Sequence, residues 1–330
     1  MSRTEVLDTH AHIVPQSLLL ALEKSASAGF SARRTDAGWV VGVPSAGDTR
    51  PIGARMTEAG PRSAWLGSTG VNRQILSPWL DILATPAAGR DWVRTVNDAM
   101  ALSAAEYGTV ALASVDTADE RAADDLLEAW KRPEFVGLLL NTDPHAGPAL
   151  HDPAFDPLWT AAAWERIPVV LHPPTCGPSA DLTSLGTMGN VHGRLIDNTV
   201  AVSRLILAGV LDRHPGLRLV LVHGGGFLPY QAHRLDGGYR TKEAFQVELQ
   251  RGRPSAYLDD FRYDTVGLSG RSIAFLAGLV GADRVLLGSD YPFALGDPQP
   301  AQTVRESGLG SVDVDKILYG NAEALFRRPA

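Results

Sequence analysis

The sequence predicts one α/β domain over residues 1–330, a (β/α)₈ TIM barrel with a small β-rich insertion after the first strand. Three observations carry this expectation. Short apolar runs alternate with helix-period segments about eight times along the chain. Four of those runs end in residues suited to metal ligation: 6–12 in His10 and His12, 169–172 in His172, 219–223 in His223, and 285–290 in Asp290. Chemistry at the ends of strands 1, 5, 6 and 8 suits a closed barrel, whose C-terminal mouth gathers every strand end. An open sheet concentrates its site at one switch point.

The elements follow in order. Strand 1 carries His10 and His12 at i and i+2, on one face, about 6.5 to 7 Å apart. A loop and short helix occupy 13–25. Residues 31–67 change character, with recurrent glycines (Gly38, Gly42, Gly47, Gly53, Gly60, Gly67) around the alternating Trp39-Val40-Val41-Gly42-Val43. They read as a β excursion inserted into the main fold, too short and glycine-rich to hold its own core. Strand 2 is expected at 74–77. A helix follows at 91–107, with Val93, Val96, Met100 and Ala104 in helical period and Gly108 as its stop. Then come strand 110–115, helix 118–130, strand 135–140, helix 154–165, strand 167–172, helix 196–211 and strand 217–223. A long helix at 229–250 precedes a seventh strand at 256–259, helix 271–280 and strand 284–289. Helices at 300–307 and 314–326 close the ring. The proline- and glycine-rich loop 173–190, directly after His172, reads as a lid or specificity loop.

Composition bounds the function. Hydrophobic residues are 45% of the chain, enough for a sizeable core, and net charge is −7 without a basic tract, so nucleic acid and anionic membrane are poor partners. No apolar run is long enough to span a bilayer, and no secretory signal precedes strand 1. The single cysteine, Cys176, excludes an intrachain disulfide and fits the reducing cytoplasm, the expected location.

The strand-end motifs are specific when read together. Asp8-Thr9-His10-Ala11-His12, Leu171-His172-Pro173, Val222-His223-Gly224-Gly225-Gly226 and Leu287-Gly288-Ser289-Asp290-Tyr291-Pro292-Phe293 resemble the amidohydrolase superfamily. Within it they are most similar to aminocarboxymuconate-semialdehyde decarboxylase and related metal-dependent non-oxidative decarboxylases. The resemblance implies that His10, His12, His172 and Asp290 bind one zinc or other divalent ion per chain, and that His223 handles a proton beside it. It implies that Arg50 binds a substrate carboxylate and that Arg234, eleven positions after His223, is offered to the neighbouring subunit of a homodimer. Arginine suits both tasks because its planar fork pairs bidentately with carboxylates. Phe293 is expected to wall the substrate pocket or simply to pack in the core. Strand 4 reads Val136-Gly137-Leu138-Leu139-Leu140-Asn141, without the lysine that bridges two metals in binuclear relatives, so one metal is favoured.

Two departures bear on the substrate. The strand-7 region reads Asp259-Asp260-Phe261-Arg262-Tyr263-Asp264, where Arg262 either adds a cation to the pocket or pairs with Asp259 or Asp260. After Pro174 stand Thr175 and Cys176, where the relative compared has a tryptophan; Cys176 reads as a loop or buried thiol. His192 lies near the specificity loop, its role open. The expected function is non-oxidative decarboxylation of a small unsaturated or aromatic carboxylic acid. The alternative is a mononuclear hydrolase or hydratase of a lactone, amide or enol-acid, and a non-catalytic metal-binding role ranks third.

Overall fold

The computed structural model describes residues 5–44, 46–83, 89–143, 147–174, 179, 182, 186–242 and 247–328. The first strand, β1 (Leu7–Ile13), is followed by α1 (Gln16–Lys24). A three-stranded antiparallel sheet comes next, built from β2 (Ser31–Thr35), β3 (Gly38–Val43) and β4 (Gly47–Asp48). Two helices, α2 (Ala54–Thr57) and α3 (Ala59–Thr69), return the chain to β5 (Arg73–Pro78). The alternation then runs α4 (Gly89–Glu106), β6 (Val110–Ala113), α5 (Ala122–Trp130), β7 (Phe135–Asn141), α6 (Asp156–Trp164) and β8 (Pro168–His172). It continues with α7 (Arg194–Leu207), α8 (Val210–Arg213), β9 (Arg218–Leu221), α9 (Leu228–Tyr239) and β10 (Phe261–Asp264). Last come α10 (Gly270–Val280), β11 (Val285–Leu286), α11 (Pro300–Arg305), α12 (Ser311–Asp315) and α13 (Asn321–Phe326).

Eight strands form one parallel sheet in the order β1-β5-β6-β7-β8-β9-β10-β11, the (β/α)₈ barrel the alternation predicts. The seam between β11 and β1 is closed differently from the rest. β11 is two residues long, and the residues after it do the joining. Thr9 N donates to Leu287 O at 2.9 Å, Asp290 N to His10 O at 2.9 Å, and His12 N to Tyr291 O at 2.7 Å. β1 also shifts register against β5 between Asp8 and Ala11, a bulge at the residues that carry the chemistry. No helix among the described residues is long and apolar enough to cross a membrane.

Several element boundaries differ from the sequence reading. The seventh strand is Phe261–Asp264, not 256–259, which lies in a 3₁₀ helix, Pro254–Asp260, opened by its proline. Phe261 and Tyr263, both fully buried, are the strand's core contacts. The helix expected at 229–250 ends at Tyr239, just past Gly237 and Gly238, where two glycines weaken helical preference. Gly209, in the left-handed region at φ 69°, splits 196–211 into α7 and α8. The excursion at 31–67 is β-rich only in its first half, since α2 and most of α3 lie in its second.

The antiparallel sheet packs on α1 and α4. Phe30 stacks on Trp92 with ring centroids 3.8 Å apart and planes within 6°, and both sit in one buried cluster with Ile13, Leu19, Val41 and Val96. The sheet is thereby held over the start of the barrel, with Arg50 just beyond its last strand.

Candidate metal centre

Side chains from the ends of β1 and β8 and from the segments after β9 and β11 converge at the barrel mouth. Ligand atoms of His10, His172, His223 and Asp290 all lie within 4.8 Å of one another. His12 joins them: its Nε2 is 3.1 Å from His10 Nε2 and 3.2 Å from Asp290 Oδ1. All five residues expected at the centre are therefore together.

Two imidazole nitrogens at 3.1 Å that both carry lone pairs repel unless a cation or proton lies between them. His10 Nδ1 is committed as donor to Asp264 Oδ2 at 2.6 Å, and His172 Nδ1 to Pro173 O at 2.8 Å. Each ring then presents a bare Nε2 to the centre, the tautomer a metal ligand needs. Among the described residues, Asp290 Oδ1 and the Nδ1 atoms of His12 and His223 have no hydrogen-bond partner although buried. The donor set, imidazole nitrogens with one carboxylate, fits a divalent transition ion.

Burial favours the neutral ring at three of the four histidines, and His10 is the exception. Burial lowers the His12 and His172 pKa values, His172 furthest, with neighbouring histidines adding to it. Burial, with His10 nearby, takes His223 down to about 4, so its ring is neutral at neutral pH. Burial opposes ionisation of Asp290, but contact with His12 and the charge of His10 hold it at about 2. For His10 burial is outweighed by Asp264, and its pKa is raised.

The backbone is bent to make this cluster. His223 (φ 55°) and Asp290 (φ 59°) both occupy the left-handed region, which costs each about 1 to 3 kcal/mol and persists where the surroundings impose it. Gly288 is required for close packing. A Cβ there would stand 3.1 Å from the Cβ atoms of both His10 and Asp264.

The centre opens into a cavity of about 1050 Å³, whose lining includes His12, Arg50, Trp79, His172, His223, Asp290 and Phe293. The Arg50 guanidinium lies 5.5 Å from the Trp79 ring and 5.4 Å from the Phe293 ring. Phe293 also meets His12, ring centroids 5.1 Å apart, so it is both packed and pocket-facing. His192 is among the residues that line the cavity. Arg234 is exposed on α9 and is not among the lining residues. Arg262 is half-buried on β10, donates to Phe261 O, and takes no part in the cavity. In place of the pairs expected for it, Asp260 pairs with Arg251 and Asp259 with Arg284. Cys176 and much of its loop lie outside the described residues.

Sequence reasoning missed two groups that hold the centre. Asp264 ends β10, so a correct boundary for strand 7 would have exposed it as a candidate at a fifth strand end. Its Oδ1 also accepts from Gly224 N at 3.2 Å, tying His10 to the turn that carries His223. Asp8, fully buried, accepts from His10 N, Gln74 Nε2, Ser289 N and Ser289 Oγ.

A protein-family model described as amidohydrolase matches residues 7–328. The 2-amino-3-carboxymuconate-6-semialdehyde decarboxylase of Dictyostelium discoideum is 23% identical, over 97% of this chain and 91% of its own. The gamma-resorcylate decarboxylase of Polaromonas sp. (strain JS666) is 28% identical over 78% of this chain and 84% of its own. Among solved structures, the 5-carboxyvanillate decarboxylase of Sphingomonas paucimobilis superposes with a TM-score of 0.81 at 23% identity, covering 99% of this chain and 100% of that one. That of Novosphingobium aromaticivorans, solved with manganese and 4-hydroxy-3-methoxy-5-nitrobenzoic acid, gives 0.78 at 21% identity, covering 98% and 96%.

Proposed function

The chain belongs to the amidohydrolase family, and from that premise we propose that it is a metal-dependent, non-oxidative decarboxylase of a small aromatic or unsaturated carboxylic acid. The observation that carries the reading is the convergence of bare imidazole nitrogens and Asp290 at one end of a cavity that also holds Arg50. Relatives named for decarboxylation favour it over hydrolysis.

His10, His12, His172 and Asp290 would hold one divalent cation. The nitrogen-rich set favours zinc, although a 5-carboxyvanillate decarboxylase holds manganese. β7 ends in Asn141 and offers no lysine to bridge a second ion. When bound, the cation supplies Lewis-acid polarisation of substrate oxygens. The protein's own residues do the rest. Arg50, held near the Trp79 and Phe293 rings, pairs with a carboxylate and orients it. Phe293 covers the substrate ring and excludes water. Neutral His223 takes the proton of a substrate hydroxyl and returns it to the carbon bearing the carboxylate. The bond to the carboxylate then breaks, its electron pair stays with the ring, and carbon dioxide leaves. One proton from solvent restores the hydroxyl, so the sum is R–CO₂⁻ + H⁺ → R–H + CO₂, with no external oxidant or reductant.

The assembly proposed is a homodimer in which Arg234, exposed on α9 and outside its own chain's cavity, reaches the partner's substrate. Incubation of metal-loaded protein with ortho-hydroxy, ortho-amino and muconate-type acids under nitrogen tests the activity. Carbon dioxide is expected from at least one class; metal-loaded protein that releases none from any of them would overturn the reading.

A further inference from the structure

Three of the four proposed metal ligands sit at the weakly paired seam of the barrel between β11 and β1. His10 and His12 come from β1 and Asp290 from the segment after β11; among the described residues, these two segments are joined by the isolated bridge Ala11–Tyr291 and a few backbone bonds around it. A side-chain chain of hydrogen bonds crosses this seam. Its far end is Arg62 on α3, 4% exposed, whose guanidinium lies 4.7 Å from the Tyr291 ring. Arg62 Nη2 donates to the carbonyl of His12 at 2.6 Å, and Nη1 donates to Gln74 Oε1, also at 2.6 Å. Gln74 Nε2 donates to Asp8 Oδ2 at 2.8 Å. Cation, amide and carboxylate alternate, so the amide can point only one way. Asp8 completes the crossing. It accepts from His10 N at 3.1 Å on its own strand, and from Ser289 N at 3.0 Å and Ser289 Oγ at 2.5 Å, one residue before Asp290.

We propose that Arg62 is a positioning residue for the metal centre, acting on His12 through its carbonyl and on His10 and Asp290 through Gln74 and Asp8. Arg62 is buried and is not among the residues that line the cavity; it reaches the lining residue His12 only through that residue's backbone carbonyl. A buried guanidinium is a poor choice for filling space, because every unmet donor carries a desolvation cost. It is a good choice for bridging two acceptors in fixed geometry, which its planar fork does and an ammonium does not. Ligands held this way need less reordering when the ion arrives, and outer partners of this kind commonly set metal affinity.

The inference rests on the metal reading above and is tested separately from it. Metal-free protein is titrated with zinc against a chromophoric chelator, and the cobalt-loaded form is followed by visible absorption. Arg62→Met should weaken metal binding by roughly 10- to 100-fold and change the cobalt spectrum. Arg62→Lys should recover part of the affinity, and Gln74→Met should move in the same direction as Arg62→Met. If wild-type protein binds no divalent ion, the metal reading fails. If wild type binds and the folded variants match it in affinity and cobalt spectrum while only their Tm falls, Arg62 is a packing residue and the inference is wrong. Should Arg62→Met not fold, Gln74→Met, which leaves the bond to His12 intact, decides by the same criteria.

Discussion

Replacing Asp264 with asparagine should weaken metal binding at the centre while leaving the cavity intact. Asp264 Oδ2 accepts the Nδ1 proton of His10 at 2.6 Å, while Oδ1 accepts from Gly224 N at 3.2 Å and Val266 N at 3.1 Å. The amide side chain of Asp264→Asn would offer one carbonyl where two oxygens are now used, and no charge. Either His10 loses its acceptor or the two backbone donors lose theirs. If the amide nitrogen faces His10, the ring is pushed to the tautomer that carries its proton on Nε2, which cannot bind a metal. A hydrogen bond to a charged group contributes about 1.5 to 3 kcal/mol. At roughly 1.4 kcal/mol per decade, that is about 10- to 100-fold in metal affinity. The assay is zinc titration of metal-free Asp264→Asn against a competing chelator, with the cobalt spectrum as a report on ligand geometry. A folded variant whose zinc affinity stays within about twofold of wild type would refute the reasoning, because it would mean His10 needs no acceptor to serve as a ligand.

The other expectations are simpler. Elemental analysis of protein purified without added metal should find about one divalent ion per chain, and a reproducible value near two would sink the mononuclear arrangement. His223→Ala should keep its metal and lose turnover by roughly 10² or more, whereas Asp290→Ala should lose the metal itself; equal metal loss in both would make His223 a ligand. Arg234→Ala and His10→Ala, refolded together in equal amounts, should form half mixed dimers with one complete site each. About a quarter of wild-type activity should then return. No recovery with mixed dimers demonstrably present would place Arg234 outside the partner's site.

The fold was legible because parallel barrel strands are buried on both faces and read as short apolar runs, as 169–171 and 285–287 do. Periodicity is weakest where segments are short. Residues 256–259 look like a strand by composition, yet Pro254 starts a 3₁₀ turn there and the ladder begins at Phe261. That slip hid Asp264, since a strand-end rule works only when the end is placed correctly. The histidines and Asp290 were visible because their spacing and strand-end positions are local properties of the sequence. Arg62 was not. Its burial depends on α3 folding back over β1 and β5, and an arginine bound for the interior looks, in one dimension, like any surface arginine. Asp8 stood in plain view beside His10, but its bonds to Ser289 and Gln74 join residues far apart in the chain.

The measurement that bears most directly on the proposed activity is decarboxylation of a carboxyl-¹³C ortho-hydroxy aromatic acid in D₂O under nitrogen, followed by NMR. The account predicts labelled carbon dioxide and, in equal amount, a ring product with one deuterium at the carbon that lost the carboxylate. Both should vanish when the metal is chelated and return when it is restored. An acid converted with its labelled carboxylate retained, or one that releases carbon dioxide only when oxygen is admitted, would contradict it.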